Sequence, residues 1–225
     1  MAHEPGADVS ALIDAMVARQ LMARGIADRR VLAAMRTVRR DRFVPPALAS
    51  EAYDDRPLPI GHDVTISQPY IVALMTEALR LAPTDHVLEI GTGSGYGAAV
   101  LAELAASVVT IEAIAELVEP ARSRLADYGD RVIVVHGDGS LGDPAHAPYD
   151  AISVTAAAAE VPPPLLDQLA AGGRLVMPVG RRVEDLVRIL RTDAGFDREV
   201  LTQVRFVPLT GRHGTGREPP APRTD

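Results

Sequence analysis

The sequence predicts an α/β protein with a mostly parallel, doubly wound sheet, an N-terminal helical extension and a C-terminal antiparallel hairpin. Between about residue 85 and residue 180, short runs that are apolar throughout alternate with helical stretches. This alternation is typical of parallel strands that helices cover on both faces. Two further runs of alternating apolar and polar residues flank the segment TDAGF near the C-terminus, and such a pair around a turn indicates a hairpin.

The composition limits the class of protein. The chain has 225 residues, 47% of them hydrophobic, which suits one globular domain. Its net charge of −7 argues against a surface that binds nucleic acid. It contains no cysteine, which excludes disulfides and thiolate chemistry. The N-terminus lacks a signal-peptide pattern, and no apolar stretch is long enough to cross a bilayer. We therefore expect a cytoplasmic protein with no membrane or nucleic-acid partner.

The first 52 residues are predicted to form a helical region that packs on the core. Apolar residues at helical spacing between Val9 and Leu21 predict a first helix, with Asp8 as its N-cap and Gly25 as its stop. A second helix is predicted to begin at Asp28.

The α/β core is predicted over residues 53–211. It opens with Tyr53–Ile66, which holds prolines and a glycine without a clear period and is predicted as a loop, followed by a helix over Ser67–Arg80. Strands are predicted at His86–Ile90, Val108–Glu112, Arg131–His136, Tyr149–Thr155, Gly173–Val179, Asp185–Arg191 and Glu199–Val207, and helices at Tyr96–Ala105, Ala115–Asp127 and Pro163–Ala170. Residues 212–225 are polar and rich in Gly and Pro, which predicts a disordered tail.

The stretch VLEIGTGSGYG, residues 87–97, leaves the first predicted strand of the core, passes a glycine-rich loop and enters a helix. Such a loop places backbone N–H groups and a helix N-terminus around a ligand at the carboxyl edge of the sheet. The dinucleotide fingerprint fits only weakly, in the register that begins at Gly93, and the lysine of a P-loop is absent. The form E-x-G-x-G-x-G, from Glu89 to Gly95, fits the loops that bind S-adenosylmethionine better.

Acidic residues at the ends of the first three strands suit the same ligand. Glu89 could accept a hydrogen bond from the ammonium group of S-adenosylmethionine, and Glu112 could accept from both ribose hydroxyls. Asp138, which Gly139 follows, could accept from the adenine amino group. A nicotinamide cofactor would use Glu112 in the same way. Taken singly, Glu89 and Asp138 also fit solvated or capping carboxylates, and the glycines also fit a tight turn that binds no ligand.

The remaining motifs extend far beyond the glycine-rich loop. They are AYDDRPLPIGHDVTISQPYIVALM (52–75), VLEIGTGSGYGAAVLAEL (87–104), GDGSLGDPAHAPYDAISVTAAAAEVP (137–162), LLDQLAAGGRLVMPVG (165–180) and VRFVPLTG (204–211). On these residues the chain, from about Arg42 to Gly211, resembles the protein-L-isoaspartate O-methyltransferase family, and PLPIG…TISQPY is the most specific part. The chain departs from the family pattern at three places: it has Asp63–Val64 where Gly-Gln is common, Gly97 where Gln is common, and Ala159 where Pro is common.

The resemblance implies a Rossmann-like, S-adenosylmethionine-dependent methyltransferase fold. It implies methylation of the free α-carboxylate of L-isoaspartyl residues in damaged peptides and proteins, which starts repair through a succinimide. The cofactor would be S-adenosyl-L-methionine, the product S-adenosyl-L-homocysteine, and no metal is implied; we expect a monomer. The residues expected to contact the cofactor are Glu89, Gly91, Thr92, Gly93, Ser94, Gly95, Glu112, Asp138, Gly139 and Thr210. Those expected to contact the substrate are Thr65, Ile66, Gln68 and Pro69.

Ser67 has two interpretations. A serine shortly before a proline and an apolar helical pattern predicts a helix N-cap, whereas the resemblance implies the active-site serine. His62 fits a turn residue better than a general base, because methylation of an ionised carboxylate needs none. Two alternative functions stay open: another carboxyl O-methyltransferase that acts on an Asp-containing modified peptide, and a non-catalytic S-adenosylmethionine- or nucleotide-binding module. The intact segment TISQPY argues against the module.

Overall fold

The computed structural model describes residues 9–214, and its N-terminal part consists of short helical segments. Helix α1 covers Val9–Met16 and continues as a π-helical turn over Val17–Leu21 and a 3-10 turn over Met22–Arg24. Gly25 ends this run in the left-handed conformation, with φ of 96°, which confirms the predicted stop. Asp8, the predicted N-cap, lies outside the described residues, as do residues 215–225 of the predicted tail.

Helix α2, Arg29–Thr37, begins directly after Asp28, where its start is predicted, and Asp28 is its N-cap. The Asp28 side chain accepts a hydrogen bond from the Arg30 N–H at 2.7 Å, which satisfies one of the free N–H groups of the first turn. Two 3-10 segments, Arg40–Phe43 and Pro46–Glu51, lead from α2 toward the core. Buried apolar residues of this region share one hydrophobic cluster with residues of the sheet, so the helical extension packs on the core.

A short hairpin precedes the main sheet. Strand β1, Leu58–Gly61, pairs antiparallel with β2, Val64–Ile66, so the prediction of a loop over this part is wrong. Pro59 weakens the strand signal because it lacks an N–H, but each strand of a two-stranded ribbon has an unpaired edge where proline is tolerated. The turn holds His62 and Asp63 at φ of 52° and 58°, and neither is the glycine that usually marks such a turn.

The main sheet has seven strands. They are β3 His86–Ile90, β4 Ser107–Glu112, β5 Val132–His136, β6 Tyr149–Val154, β7 Leu169–Val179, β8 Glu184–Thr192 and β9 Gly195–Val204. Their order is β5-β4-β3-β6-β7-β8-β9. The first five in this order pair in parallel, whereas β8 pairs antiparallel with both β7 and β9. The predicted doubly wound sheet with a C-terminal hairpin is confirmed.

The order of the strands fixes where a ligand can bind. The chain forms β4 and β5 on one side of β3 and then crosses to form β6 and β7 on the other side. Ile90 pairs with Ile111 on one side and with Val154 on the other, so the carboxyl ends of β3, β4 and β6 lie level. In doubly wound sheets the crevice at this change of direction is the binding site.

Helices cover both faces of the sheet. They are α3 Pro69–Leu79, α4 Tyr96–Ala102, α5 Ala115–Leu125 and α6 Pro163–Asp167. Helix α6 is shorter than predicted because the chain already pairs with β6 at Leu169, opposite Tyr149. Alternate strand residues enter different cores: Val87 packs with the N-terminal region, and Leu88 packs with α6. Among the described residues, no helix combines the length and the hydropathy needed to cross a membrane.

Candidate active site

A cavity of about 430 Å³ lies at the carboxyl ends of β3 and β4 and beside the end of β6. Its volume is in the range of small-molecule sites, about 300–1,000 Å³. The cavity brings together most of the residues predicted for the site, namely Thr65, Ile66, Ser67, Glu89, Gly91, Thr92, Gly93, Ser94, Glu112, Gly139 and Thr210. Four predicted residues, Gln68, Pro69, Gly95 and Asp138, are not part of its lining.

The glycine-rich loop forms one wall of the cavity. Gly91 has φ of 94°, and a Cβ atom there would clash with the Thr155 hydroxyl. That hydroxyl donates to the Gly91 carbonyl at 2.9 Å, and the N–H groups of Gly91 and Thr92 both donate to the Ile111 carbonyl. The end of β4 and the Thr155 side chain therefore fix the conformation of the loop, and only glycine fits at Gly91.

Glu112 ends β4, and the loop that it faces holds its carboxylate. One oxygen accepts from the Gly93 N–H at 2.7 Å, and the other accepts from the Ile114 N–H at 2.9 Å. The residue is 5% exposed and lines the cavity. Because an ionised carboxylate has about four acceptor positions, each oxygen keeps capacity for a ligand, and two adjacent hydroxyl groups would match this arrangement.

Glu89 lies beneath the loop and is 1% exposed. It accepts a hydrogen bond from the Thr110 hydroxyl at 2.6 Å, and that hydroxyl also contacts the Thr92 hydroxyl at 2.7 Å. A Cβ atom at Gly97 would clash with the Glu89 carboxylate, so this glycine leaves room for it. Burial raises the pKa of Glu89 to about 8; the Thr110 hydrogen bond opposes the rise and the charge of Glu112 adds to it.

The ionisable groups on the cavity wall are mainly carboxyl groups. Asp63, Glu89 and Glu112 line the cavity together with His62, and no arginine of the described chain does so. Such a wall favours a ligand with positive charge. A dinucleotide would bring the negative charges of a pyrophosphate beside these carboxyl groups, which is less favourable than a cationic ligand.

Ser67 lies between β2 and α3, on the wall formed by residues 62–67. The N-cap of α3 is Gln68, whose side chain makes no capping hydrogen bond. Within residues 9–214 the Ser67 hydroxyl has no hydrogen-bond partner, so the structure does not support the interpretation of Ser67 as a cap. The backbone of this segment is held instead, because the Ser67 carbonyl accepts from the Arg40 guanidinium at 3.1 Å.

Asp138 binds the backbone that follows the last predicted core residue. Its carboxylate accepts from the Ser140 N–H, from the Ser140 hydroxyl and from the Arg212 N–H, at 2.9, 2.6 and 2.8 Å. Burial acts to raise the pKa of Asp138, but these hydrogen bonds outweigh it and lower the pKa below its usual value. Arg212, predicted as the start of the tail, is thus attached to the end of β5, and a contact of Asp138 with adenine stays a prediction.

Comparisons with known proteins agree with this geometry. Residues 12–214 match the family model described as protein-L-isoaspartate(D-aspartate) O-methyltransferase. A protein-L-isoaspartate O-methyltransferase of Methanoregula boonei is 56% identical over 201 residues, which cover 88% of this chain and 93% of that relative. The chain belongs to the protein-L-isoaspartate O-methyltransferase family.

Two solved structures of this family share the fold. One, a protein-L-isoaspartate O-methyltransferase, has a TM-score of 0.79 and 30% identity, and the match covers 92% of this chain and 67% of the other. The second, from Plasmodium falciparum and described as a protein-L-isoaspartate O-methyltransferase, has a TM-score of 0.76 and 26% identity, with coverage of 91% and 99%. That structure is a complex with S-adenosyl-L-homocysteine.

The family is S-adenosylmethionine-dependent, and the cavity fits this cofactor. Its ammonium and sulfonium groups suit the acidic wall, and its ribose diol suits the fixed carboxylate of Glu112. The predicted Rossmann-like methyltransferase fold, the cofactor and the methyltransferase activity are therefore confirmed for the chain as a member of the family. The roles of individual residues stay predictions.

Two residues that support the site were not found by sequence reasoning. Thr155 holds the glycine-rich loop through its hydroxyl, and its position as the last residue of a predicted strand was the only available signal. Arg40 holds the Ser67 carbonyl. It lies within the segment RTVRRDR, and nothing in the sequence separates it from the arginines beside it.

Proposed function

We propose that the chain methylates the free α-carboxylate of L-isoaspartyl residues in damaged peptides and proteins and so starts their repair through a succinimide. One observation carries the proposal at the level of residues. A single cavity contains both the glycine-rich loop with its fixed Glu112 and the Ser67 hydroxyl, which has no partner in the described chain. A module that only bound the cofactor would need the first feature alone.

The cofactor supplies a methyl group on a positively charged sulfur atom, which leaves as a neutral thioether. In our proposal Glu112 accepts hydrogen bonds from the ribose hydroxyls, and Glu89 faces the ammonium group. The other residues proposed to contact the cofactor are Gly91, Thr92, Gly93, Ser94, Gly139 and Thr210, which line the same cavity. Gly95 acts indirectly, because it caps α4 and is not in the lining.

The substrate carboxylate is ionised at neutral pH and is already a nucleophile, so the chain must supply position rather than a base. Ser67 donates a hydrogen bond to one carboxylate oxygen and directs the other toward the methyl group. Thr65 and Ile66 bind the peptide beside it. An oxygen–carbon bond forms while the carbon–sulfur bond breaks, and its electron pair stays on sulfur. Opposite charges cancel in this step, which exclusion of water by the cavity favours.

The later steps of repair need no group of the chain. The nitrogen of the following residue attacks the methyl ester, methanol leaves, and a succinimide forms. Hydrolysis of the succinimide opens either of its two carbonyls, so part of the product returns to the normal aspartyl linkage.

We also propose that the enzyme acts as a monomer on peptides and proteins and not on nucleic acid. Residues of one chain supply both the cofactor loop and the Ser67 hydroxyl. The net charge of −7 and the acidic cavity offer no attraction for a phosphate backbone. The cytoplasmic location expected from the sequence stays a prediction.

Incubation of the purified chain with S-adenosylmethionine and a synthetic isoaspartyl peptide tests the proposal. We expect a product that is heavier by one methylene unit and that decays to the succinimide. The control reaction, with S-adenosylhomocysteine in place of the methyl donor, should give neither product. Binding of the cofactor without any methyl ester would contradict the proposal, and methylation confined to one modified peptide would favour the other carboxyl methyltransferase.

A further inference from the structure

Arg40 is an arginine in an unusual environment. It begins the 3-10 segment Arg40–Phe43, and its side chain is completely buried between the N-terminal region and the core. Its guanidinium lies over the ring of Tyr96 at 5.9 Å. None of the ion pairs found among residues 9–214 includes Arg40, and its Nε atom is buried without a partner.

The guanidinium binds three backbone carbonyls from three different stretches of the chain. One terminal nitrogen donates to the Ala52 carbonyl. The other donates to the Arg56 carbonyl at 3.4 Å and to the Ser67 carbonyl at 3.1 Å. The planar fork of arginine suits such a task, because its donors point in fixed and divergent directions. Arg40 therefore joins both ends of the β1–β2 hairpin to the N-terminal region.

Stability alone does not account for this arrangement. A buried charge without an ionic partner loses its hydration, and apolar residues of similar volume often stabilise a core as well or better. The cost is recovered through the ring of Tyr96 and the carbonyls that the guanidinium binds, and one of these carbonyls belongs to Ser67. We propose that Arg40 is a positioning residue for Ser67. The proposal rests on the function proposed above, since it assigns to Arg40 the placement of the hydroxyl that orients the substrate carboxylate.

The expected effect is on substrate turnover and not on cofactor binding. Loss of the fork frees the segment that carries Ser67, and a misplacement of about 1 Å can lower a rate about a hundredfold. Glu112 and the glycine-rich loop are held by β4 and by Thr155. Arg40 approaches them through the ring of Tyr96, at 5.9 Å, and within residues 9–214 it makes no hydrogen bond to them. The affinity for S-adenosylhomocysteine should therefore stay close to that of the wild type.

Arg174 offers a matched control. It is also a largely buried arginine, and it also binds three carbonyls, those of Leu79, Arg80 and Asp150. Unlike Arg40, it also pairs with a carboxylate, that of Asp85. Arg174 pairs with Ala151 near the amino end of β6, so its contacts lie at that end of the sheet. The cavity lies at the opposite, carboxyl end. Arg174→Lys loses the same kind of fork at the opposite edge of the sheet and should lower the melting temperature while kcat/KM stays near that of the wild type.

The test compares Arg40→Met, Arg40→Lys and Arg174→Lys with the wild type. We measure kcat/KM on an isoaspartyl peptide, the Kd for S-adenosylhomocysteine, and amide hydrogen exchange in residues 64–68. Arg40→Met should lower kcat/KM about a hundredfold, change Kd less than about threefold, and speed exchange in that segment. Arg40→Lys keeps the charge but not the fork, so its kcat/KM should stay at least about tenfold below the wild type. If Arg40→Met does not fold, Arg40→Lys carries the test.

Wild-type kcat/KM in both Arg40 variants would overturn the proposal. Equal losses of kcat/KM and of cofactor affinity in the Arg40 variants would also overturn it. So would a loss of kcat/KM in Arg174→Lys as large as that in the Arg40 variants, because either result would indicate general destabilisation. If the wild type itself does not methylate isoaspartyl peptides, the proposed function fails. The exchange measurement then still decides on Arg40, since unchanged exchange in residues 64–68 would show that it does not position Ser67.

Discussion

Ser67 carries a hydroxyl that the fold does not use. Because it makes no cap on α3, Ser67→Ala should cost less than the ~1 kcal/mol typical of a lost helix cap. Its kcat on isoaspartyl peptides should fall strongly, while affinity for S-adenosylmethionine changes little. Melting temperature and kcat, measured on the same preparation, separate the two roles. Ser123→Ala, an exposed serine on α5, is the control. A lowered melting temperature with normal kcat would restore the cap interpretation.

Glu112 is the residue on which cofactor affinity should depend most. Glu112→Ala removes the acceptor proposed for the ribose and also frees the Gly93 and Ile114 N–H groups. The loss of S-adenosylhomocysteine binding should be about 1–3 kcal/mol, the scale for buried polar groups left without a partner. Titration calorimetry measures it, with circular dichroism to check the fold. Unchanged affinity in a folded variant would remove Glu112 from the site.

Glu89 should make cofactor binding depend on pH. With a pKa of about 8 its carboxyl group is protonated at neutral pH, and a cationic ligand favours the ionised form. Binding should therefore release a proton below pH 8, and affinity should rise as the pH increases from about 6 to 8. Calorimetry in two buffers of different ionisation enthalpy detects the proton. Glu89→Gln should abolish its release, and a wild type that releases no proton at pH 7 would contradict the proposed contact.

Residue roles were readable from sequence only where a residue had a fixed place in a motif. Glu89, Glu112 and the glycines stand at the ends of apolar runs, so parallel pairing was enough to bring them together. Arg40 and Thr155 act through backbone carbonyls that are distant in sequence. Such contacts depend on how the chain packs and leave no local pattern.

At the scale of elements, the β1–β2 hairpin is the part of the site that sequence periodicity missed. Its strands have only four and three residues, too few to show alternation. Strand β3 was predicted at its observed bounds because it is apolar and flanked by turn residues. The start of β7 was not predicted correctly. Its first residues resemble the end of a helix in sequence, and only their pairing with β6 shows that they belong to a strand.

The hairpin turn should influence which peptides are accepted. Asp63 is exposed, lies at φ of 58° and lines the cavity, so its charge faces an approaching substrate. Asp63→Asn keeps a residue that tolerates this backbone and removes the charge. It should raise kcat/KM about two- to fivefold for isoaspartyl peptides flanked by glutamate, the scale of exposed ion pairs, and the gain should shrink at high salt.

The matched control is Asp193→Asn in the β8–β9 turn, which is also exposed but does not line the cavity. It should leave the rates on both acidic and basic peptides unchanged. Equal gains from the two substitutions would mean that only the net charge of the molecule matters. No gain from Asp63→Asn would place Asp63 away from the path of the substrate.

At the scale of the whole molecule, topology determines where the chemistry takes place. The chain crosses from β5 to β6 over β3 and β4, which opens the crevice. The β1–β2 hairpin, which packs against the N-terminal region, closes one side of it. Sequence alternation was enough to predict the sheet and its crevice. It could not predict how the N-terminal region packs there, since that depends on contacts such as those of Arg40.

In our proposal, a fixed hydroxyl and a fixed cofactor loop together select one of two isomeric carboxylates. In an isoaspartyl residue the main chain runs through the side-chain carbonyl, so the free carboxylate stands one carbon closer to the backbone than in aspartate. The most direct measurement is transfer of a labelled methyl group to an isoaspartyl peptide and to its aspartyl twin. We predict a rate at least about a hundredfold higher for the isoaspartyl peptide, the scale for a misplacement of about 1 Å; equal rates on the two peptides would contradict the account.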